Sequence, residues 1–383
     1  MLTMTSAERI RAAINHQEPD RVPFDLGATF SSGIHITAYQ ALREHLGLPS
    51  GSGGFFCIDE QISEIQEDLK VRLKVDTESV MPGGPSNWAL SIEEHGDHSY
   101  FTNEWQIGLK MPRSGFYFDM VAFPLEHATL ADLEDFAWPD PSDPARYTGL
   151  EERVAQAAAT GRAVVMNSIC AGTMEMAAWM TGYERLFSSM LLEPDFAGAL
   201  LDKVLEIKLA YWERVLDRVG DQIDIVCDSD DLGEQQRPLI SPRLYRKMLK
   251  ARHKALYDFI HARTNAKIYL HSCGAIRPLI PDLIEIGVDI LNPVQVNAPG
   301  MDPLGLKRDF GREIVFWGGA IDPQGIFGRG TPEQVRDAVR RNVETLMTGG
   351  GFVCATVHNI QPNVPPENVM AMWKALQEYG VYS

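Results

Sequence analysis

The chain has 383 residues, 45% apolar and 23% charged, enough to bury a large core in one barrel or in two ordinary domains. Thirty-five basic residues against fifty-two acidic ones give a formal charge of −17, which repels phosphate backbones and argues against a nucleic-acid partner. No run approaches the roughly 18 uninterrupted apolar residues of a membrane span. The opening MLTMTSAERIRAAINHQ carries charges where a signal peptide has its apolar segment, and the five cysteines are odd in number and widely spaced. Reduced thiols in a cytoplasmic protein are therefore expected.

Taken in chain order, RVPFDL near residue 21 is the first short apolar run and reads as a strand. A further strand is expected between residues 71 and 125, where no single run stands out. From about residue 83 to 148, Gly, Pro and aromatic residues are dispersed through GGPSNWALSIEEHGDHSYFTNEWQIGLKMPRSGFYFDM, which predicts an insertion of hairpins over one end of the fold. Beyond residue 160, apolar runs alternate with helical stretches: AVVMNSIC (163–170), DIVCDSD (224–230), KIYLHSC (267–273), VDILNPV (288–294), EIVFWGG (313–319) and GFVCAT (351–356). These predict strands buried on both faces of a parallel sheet. Helix starts are marked by Ser241-Pro242 and Thr331-Pro332, and Gly380 stands where a C-cap would. Six such strands plus the two earlier ones favour a single α/β domain over 1–383, a closed (β/α)8 TIM barrel with the insertion at about 83–148.

Active sites of parallel barrels lie at the C-terminal ends of the strands. Five ends here are polar together: Asp228, Asp230 and Asp231; His271, Ser272 and Cys273; Asn292 and Gln295; Asp322 and Gln324; and His358, Asn359 and Gln361. In HSCG (271–274), the period-two alternation of a strand puts His271 and Cys273 on one face, and imidazole with thiolate suits zinc. Two donors do not make a site. GGGFVCATVHNIQ offers two candidates for the third, Cys354 within the strand and His358 beyond it. Glu175, just after the strand ending at Cys170, is a candidate fourth ligand or base, and equally a helix-surface residue. Asp230 and Asp231 are candidates for acid–base work or for orienting a ligand, against a plainer part in capping the next turn. Asn292, Gln295, Asp322 and Gln361 are candidates for substrate hydrogen bonds. Trp88, Trp105 and Trp179 are read as core aromatics that would otherwise line a lid or pocket.

The segments DSDDLGEQQRPLISPRLYRKML, LHSCGAIRPLIPDLIEIGVDILNPVQ, FWGGAIDPQ and VHNIQPNVPPENVMAM together resemble the uroporphyrinogen decarboxylase superfamily, most strongly from about residue 221 to 380. The resemblance implies a (β/α)8 barrel. The decarboxylases of that superfamily grip substrate carboxylates with arginines in an amino-terminal motif reading roughly RQAGR; RVPFDLGATFSSGIH stands in its place here, so uroporphyrinogen III is not the expected substrate. The chain is more similar to the branch of methyltransferases that pass methyl groups between a corrinoid protein and a thiol. These carry H-x-C and a distal cysteine which, counted back from the P-x-E-N segment, falls on His358.

The resemblance thus implies zinc held by His271, Cys273 and His358, with Cys354 as the alternative third ligand; Asp230, Asp231, His358 and Glu175 are the catalytic candidates. No D-x-H-x-x-G corrinoid-binding segment occurs in this chain, so the cobalamin-type cofactor would be carried by a separate protein. Two other functions stay open at this point: a decarboxylase or lyase acting on another carboxylate, and a non-catalytic ligand-binding barrel.

Overall fold

A computed structural model describes residues 4–51 and 53–382. Seven parallel strands form one curled sheet: β1 (Thr77–Val80), β2 (Ala163–Met166), β3 (Ile225–Ser229), β4 (Lys267–His271), β5 (Ile290–Asn292), β6 (Val315–Trp317) and β7 (Phe352–Val353). Each pairs with its neighbour in chain order. The RVPFDL segment bridges the two edges. Cys354 N–H donates to Pro23 O and Asp25 N–H to Cys354 O, both at 2.9 Å, while Asp76 N–H donates to Phe24 O at 2.8 Å. The architecture is α/β and TIM-barrel-like. β1 is the strand that the sequence pattern did not single out.

The strands are shorter than the apolar runs that announced them, and β5 and β6 each lose two residues at both ends of their run. Inside the sheet, alternation directs Val165, Ile225, Tyr269, Ile290, Val315, Trp317 and Val353 into one buried cluster. The helix Ser6–Ile14, started by a capping box between Thr5 and Glu8, adds Ile10, Ala13 and Ile14 to that cluster. Burying each isoleucine contributes roughly 1.5–3 kcal/mol. The amino-terminal segment is also clamped by charge: Asp76, fully buried, faces Arg9 Nη1 and Arg21 Nη1, each at 2.7 Å.

Helix boundaries follow their caps. Ser241 accepts Leu244 N–H, and Thr331 forms a capping box with Gln334. The stretch after Ser241 is not one helix but two, Pro242–Met248 and Lys250–His261, broken at Leu249. Between β1 and β2, Glu93–His95, His98–Thr102, Gly108–Pro112 and Asp119–Ala122 form a four-stranded antiparallel sheet. Among the described residues, no helix is long and apolar enough to cross a membrane.

Candidate metal centre

Tyr269 points into the barrel, so the next inward positions at the end of β4 are His271 and, beyond the strand, Cys273. Gly274 follows with φ +90°, and a Cβ there would lie 2.5 Å from Gly233 C, so only glycine lets the chain turn at this point. One donor atom from each of His271, Cys273 and His358 lies within 4.8 Å of the others. Cys273 Sγ is 3.4 Å from His271 Nε2. Bonds of about 2.0–2.3 Å in a tetrahedron separate donor atoms by about 3.3–3.8 Å, so the three close on zinc with a movement of about 1 Å.

The tautomer of His271 follows from its neighbours. Asn292 Nδ2 donates to the Trp317 carbonyl at 2.9 Å, which leaves Oδ1 facing His271 Nδ1 at 2.6 Å. Nδ1 therefore carries the proton, and the lone pair on Nε2 faces Cys273. Burial pushes the His271 pKa down, outweighing the nearby Asp231 carboxylate, so the ring is neutral at pH 7. This is the ligand form.

Carboxyl groups surround the cluster. Asp231 Oδ1 accepts Cys273 N–H at 2.7 Å and stands 3.7 Å from His271 Nε2. Burial, followed by the charges of Asp231, Glu175 and Glu60, holds the Cys273 thiol well above its ordinary pKa. Glu175 is itself raised, by burial first and then by Asp231 and Asp230. A neutral thiol and imidazole inside an acidic ring are poorly matched on their own. A dication converts that mismatch into attraction, so the donor set fits zinc.

The other candidate residues fall into two groups. Gln295, Asp322 and Gln361 line a cavity of about 360 Å³ together with Cys273 and His358. Gln295 Oε1 accepts Gly274 N–H at 2.6 Å, and Asp322 is held by Asn297 and Gln324 N–H. Asn292 is not in that lining; its amide is spent on Ser31, His271 and Trp317, so it orients the His271 ring. Asp230 also turns away, accepting the N–H groups of Met174 and Glu175 and facing His253 Nε2 at 2.7 Å. It anchors the amino terminus of the helix Thr173–Thr181. Cys354 is fully buried in the barrel wall, its N–H bonded to Pro23, and is not part of the cluster. Glu175 accepts Ser229 Oγ at 3.0 Å.

The profile of the uroporphyrinogen decarboxylase (URO-D) family matches residues 120–379. The chain belongs to that family. A uroporphyrinogen decarboxylase of Pseudoalteromonas translucida is 27% identical over 202 residues, 49% of this chain and 50% of that protein, so this chain spans about half its length. One of Alkalilimnicola ehrlichii is 26% identical over 288 residues, 71% of this chain and 72% of that one. Among solved structures, a methyltransferase from Methanosarcina mazei shares the fold with a TM-score of 0.61 over 98% of this chain and 99% of that one, at 16% identity.

In this URO-D family member, two neighbours of the cluster escaped the sequence reading. Glu60 accepts Asn359 Nδ2 at 2.5 Å and lies close enough for His358 to stabilise its charged form, although burial drives its pKa up. Tyr117 donates to Gln361. Both come from the region before β2, far from the HSCG segment in sequence, with no spacing to betray them. An acid in a loop carries no pattern of its own; only the fold reveals that Glu60 faces the strand ends.

Proposed function

We propose that this protein is a zinc-dependent methyltransferase that moves a methyl group between a small molecule or thiol and a corrinoid carried by a separate protein. The observation that carries this reading is the convergence of His271, Cys273 and His358 at the C-terminal ends of β4 and β7, beside an open cavity. Three protein donors with a free fourth position are the arrangement of catalytic zinc, which lowers the pKa of a bound thiol so that its thiolate is present at neutral pH. Around it, Asn292 keeps the proton on His271 Nδ1, Asp231 fixes the Cys273 backbone, and Gln295 fixes Gly274.

The cavity favours this reading over uroporphyrinogen decarboxylation. Its lining includes Glu60, Glu234 and Asp322, and among the described residues no lysine or arginine. A substrate bearing many carboxylates finds no fixed cation there.

The test is turnover of a methylated corrinoid with a panel of thiols by zinc-loaded protein, followed by absorbance. Loss of the methyl–cobalt band that depends on Cys273 is the expected result, with no conversion of uroporphyrinogen III. Decarboxylation of uroporphyrinogen III by metal-free protein would overturn the reading.

A further inference from the structure

A second cavity, of about 500 Å³, lies behind the metal cluster. Its wall meets the cluster at three points. Phe30 packs edge-on against the His271 ring with centroids 5.5 Å apart, Glu60 faces both cavities, and Ser229 pairs across the sheet with His271. The chamber is aromatic and apolar, with Phe30, Phe56, Phe118, Trp179, Met81 and Met120 in its lining. Its volume is in the range that holds a small organic ligand.

The charges of this chamber do not balance. Four acids line it: Asp59, Glu60, Glu104 and Asp228. Two are matched, Asp228 by the buried Lys208 at 2.5 Å and Glu104 by Arg146. Among the described residues, Asp59 and Glu60 have no basic side chain within ion-pair distance, and no lysine or arginine lines the chamber. The loop bearing them is fixed in place, because Asp59 O accepts Phe118 N–H at 2.8 Å. Ser168 supplies a separate sign of an absent partner: it lines the chamber, and its Oγ is buried with no hydrogen bond.

Two carboxyls that form no ion pair, several aromatic faces and a spare hydroxyl describe the complement of one ligand chemistry. An inorganic cation gains little from aromatic and thioether walls, and a neutral aromatic leaves the carboxyls unmatched. An anion is repelled. We propose that the chamber is a small-molecule site and that it takes a methylated ammonium compound, a cation whose surface is apolar and whose charge is met by ring faces and carboxylates. The part such a ligand plays in methyl transfer rests on the function proposed above; its binding does not.

The test compares choline with 3,3-dimethylbutan-1-ol, its neutral isostere of the same shape, by calorimetry and by intrinsic tryptophan fluorescence on the full chain, with zinc content measured on the same samples. Choline should bind at least about tenfold more tightly than the neutral isostere. That margin should shrink in Asp59→Asn and in Glu60→Gln, each checked by its melting curve. Equal or tighter binding of the neutral isostere, absence of choline binding, or a margin unchanged in both variants would overturn the proposal. Choline binding by protein that takes up no zinc would overturn the zinc reading while leaving this one standing.

Discussion

The two ends of the barrel use the same residue types to opposite effect. At the amino-terminal end carboxylates are matched: the buried Asp76 lies between Arg9 and Arg21, and the exposed Asp20 faces Arg9 at 2.6 Å. The helix Ser6–Ile14 adds apolar side chains to the same end. At the carboxy-terminal end, among the described residues, Asp59 and Glu60 form no ion pair, and burial pushes Asp59 up to about 6 and raises Glu60 as well. A buried charge is tolerated when it is matched; an unmatched one costs stability and persists where a ligand completes it. The division between a structural end and a functional end is therefore written in pairing, not in composition.

That division can be broken from either side. The largest effect belongs to Asp76→Ala, which leaves the buried Arg9 and the half-buried Arg21 guanidinium groups without their shared partner and should lower unfolding stability by about 3–5 kcal/mol in urea denaturation. Zinc stoichiometry of the folded fraction should not change; a parallel loss of metal would show that the two ends are not separable. Cys273→Ala should act the other way, reducing zinc affinity by more than about 100-fold, beyond what loss of an orienting residue causes. The melting curve of its metal-free form should match the parent. Asn292→Ala removes the acceptor for His271 Nδ1–H, together with the bonds to Ser31 and the Trp317 carbonyl, and a competition titration should show zinc affinity down by about 10- to 100-fold.

A smaller effect sharpens the electrostatic half of the comparison. With the Cys273 thiol held above its ordinary range and His271 neutral, binding a dication at pH 6–8 must expel the thiol proton. Apparent zinc affinity should then rise about tenfold for each unit of pH increase. A flat profile would mean that the thiol is not a ligand.

Much of this was legible in the sequence, for identifiable reasons. The parallel strands announce themselves because both faces are buried and the runs are continuously apolar. HSCG is legible because period two is a local rule, which places His271 and Cys273 together without knowledge of the fold. β1 is not, since TESV alternates little and its place depends on partners at Ala163–Met166. Asp230 and Asp231 look equivalent in DDLG, yet one caps a helix from Thr173–Thr181 and the other faces the cluster. Only the tertiary position of that helix separates them. Asn292 was legible as a site residue but not as a holder of histidine, because its role is set by the Trp317 carbonyl on the next strand.

The central claim is that His271, Cys273 and His358 form one zinc site. X-ray absorption at the zinc edge on the zinc-loaded protein tests it most directly, with His358→Ala and Cys354→Ser measured alongside. The parent and Cys354→Ser should both show two imidazole nitrogens and one sulfur bound to zinc, and His358→Ala should lose one nitrogen together with at least about tenfold in affinity. A zinc shell without sulfur, or one that survives in His358→Ala and is lost in Cys354→Ser, would contradict the claim.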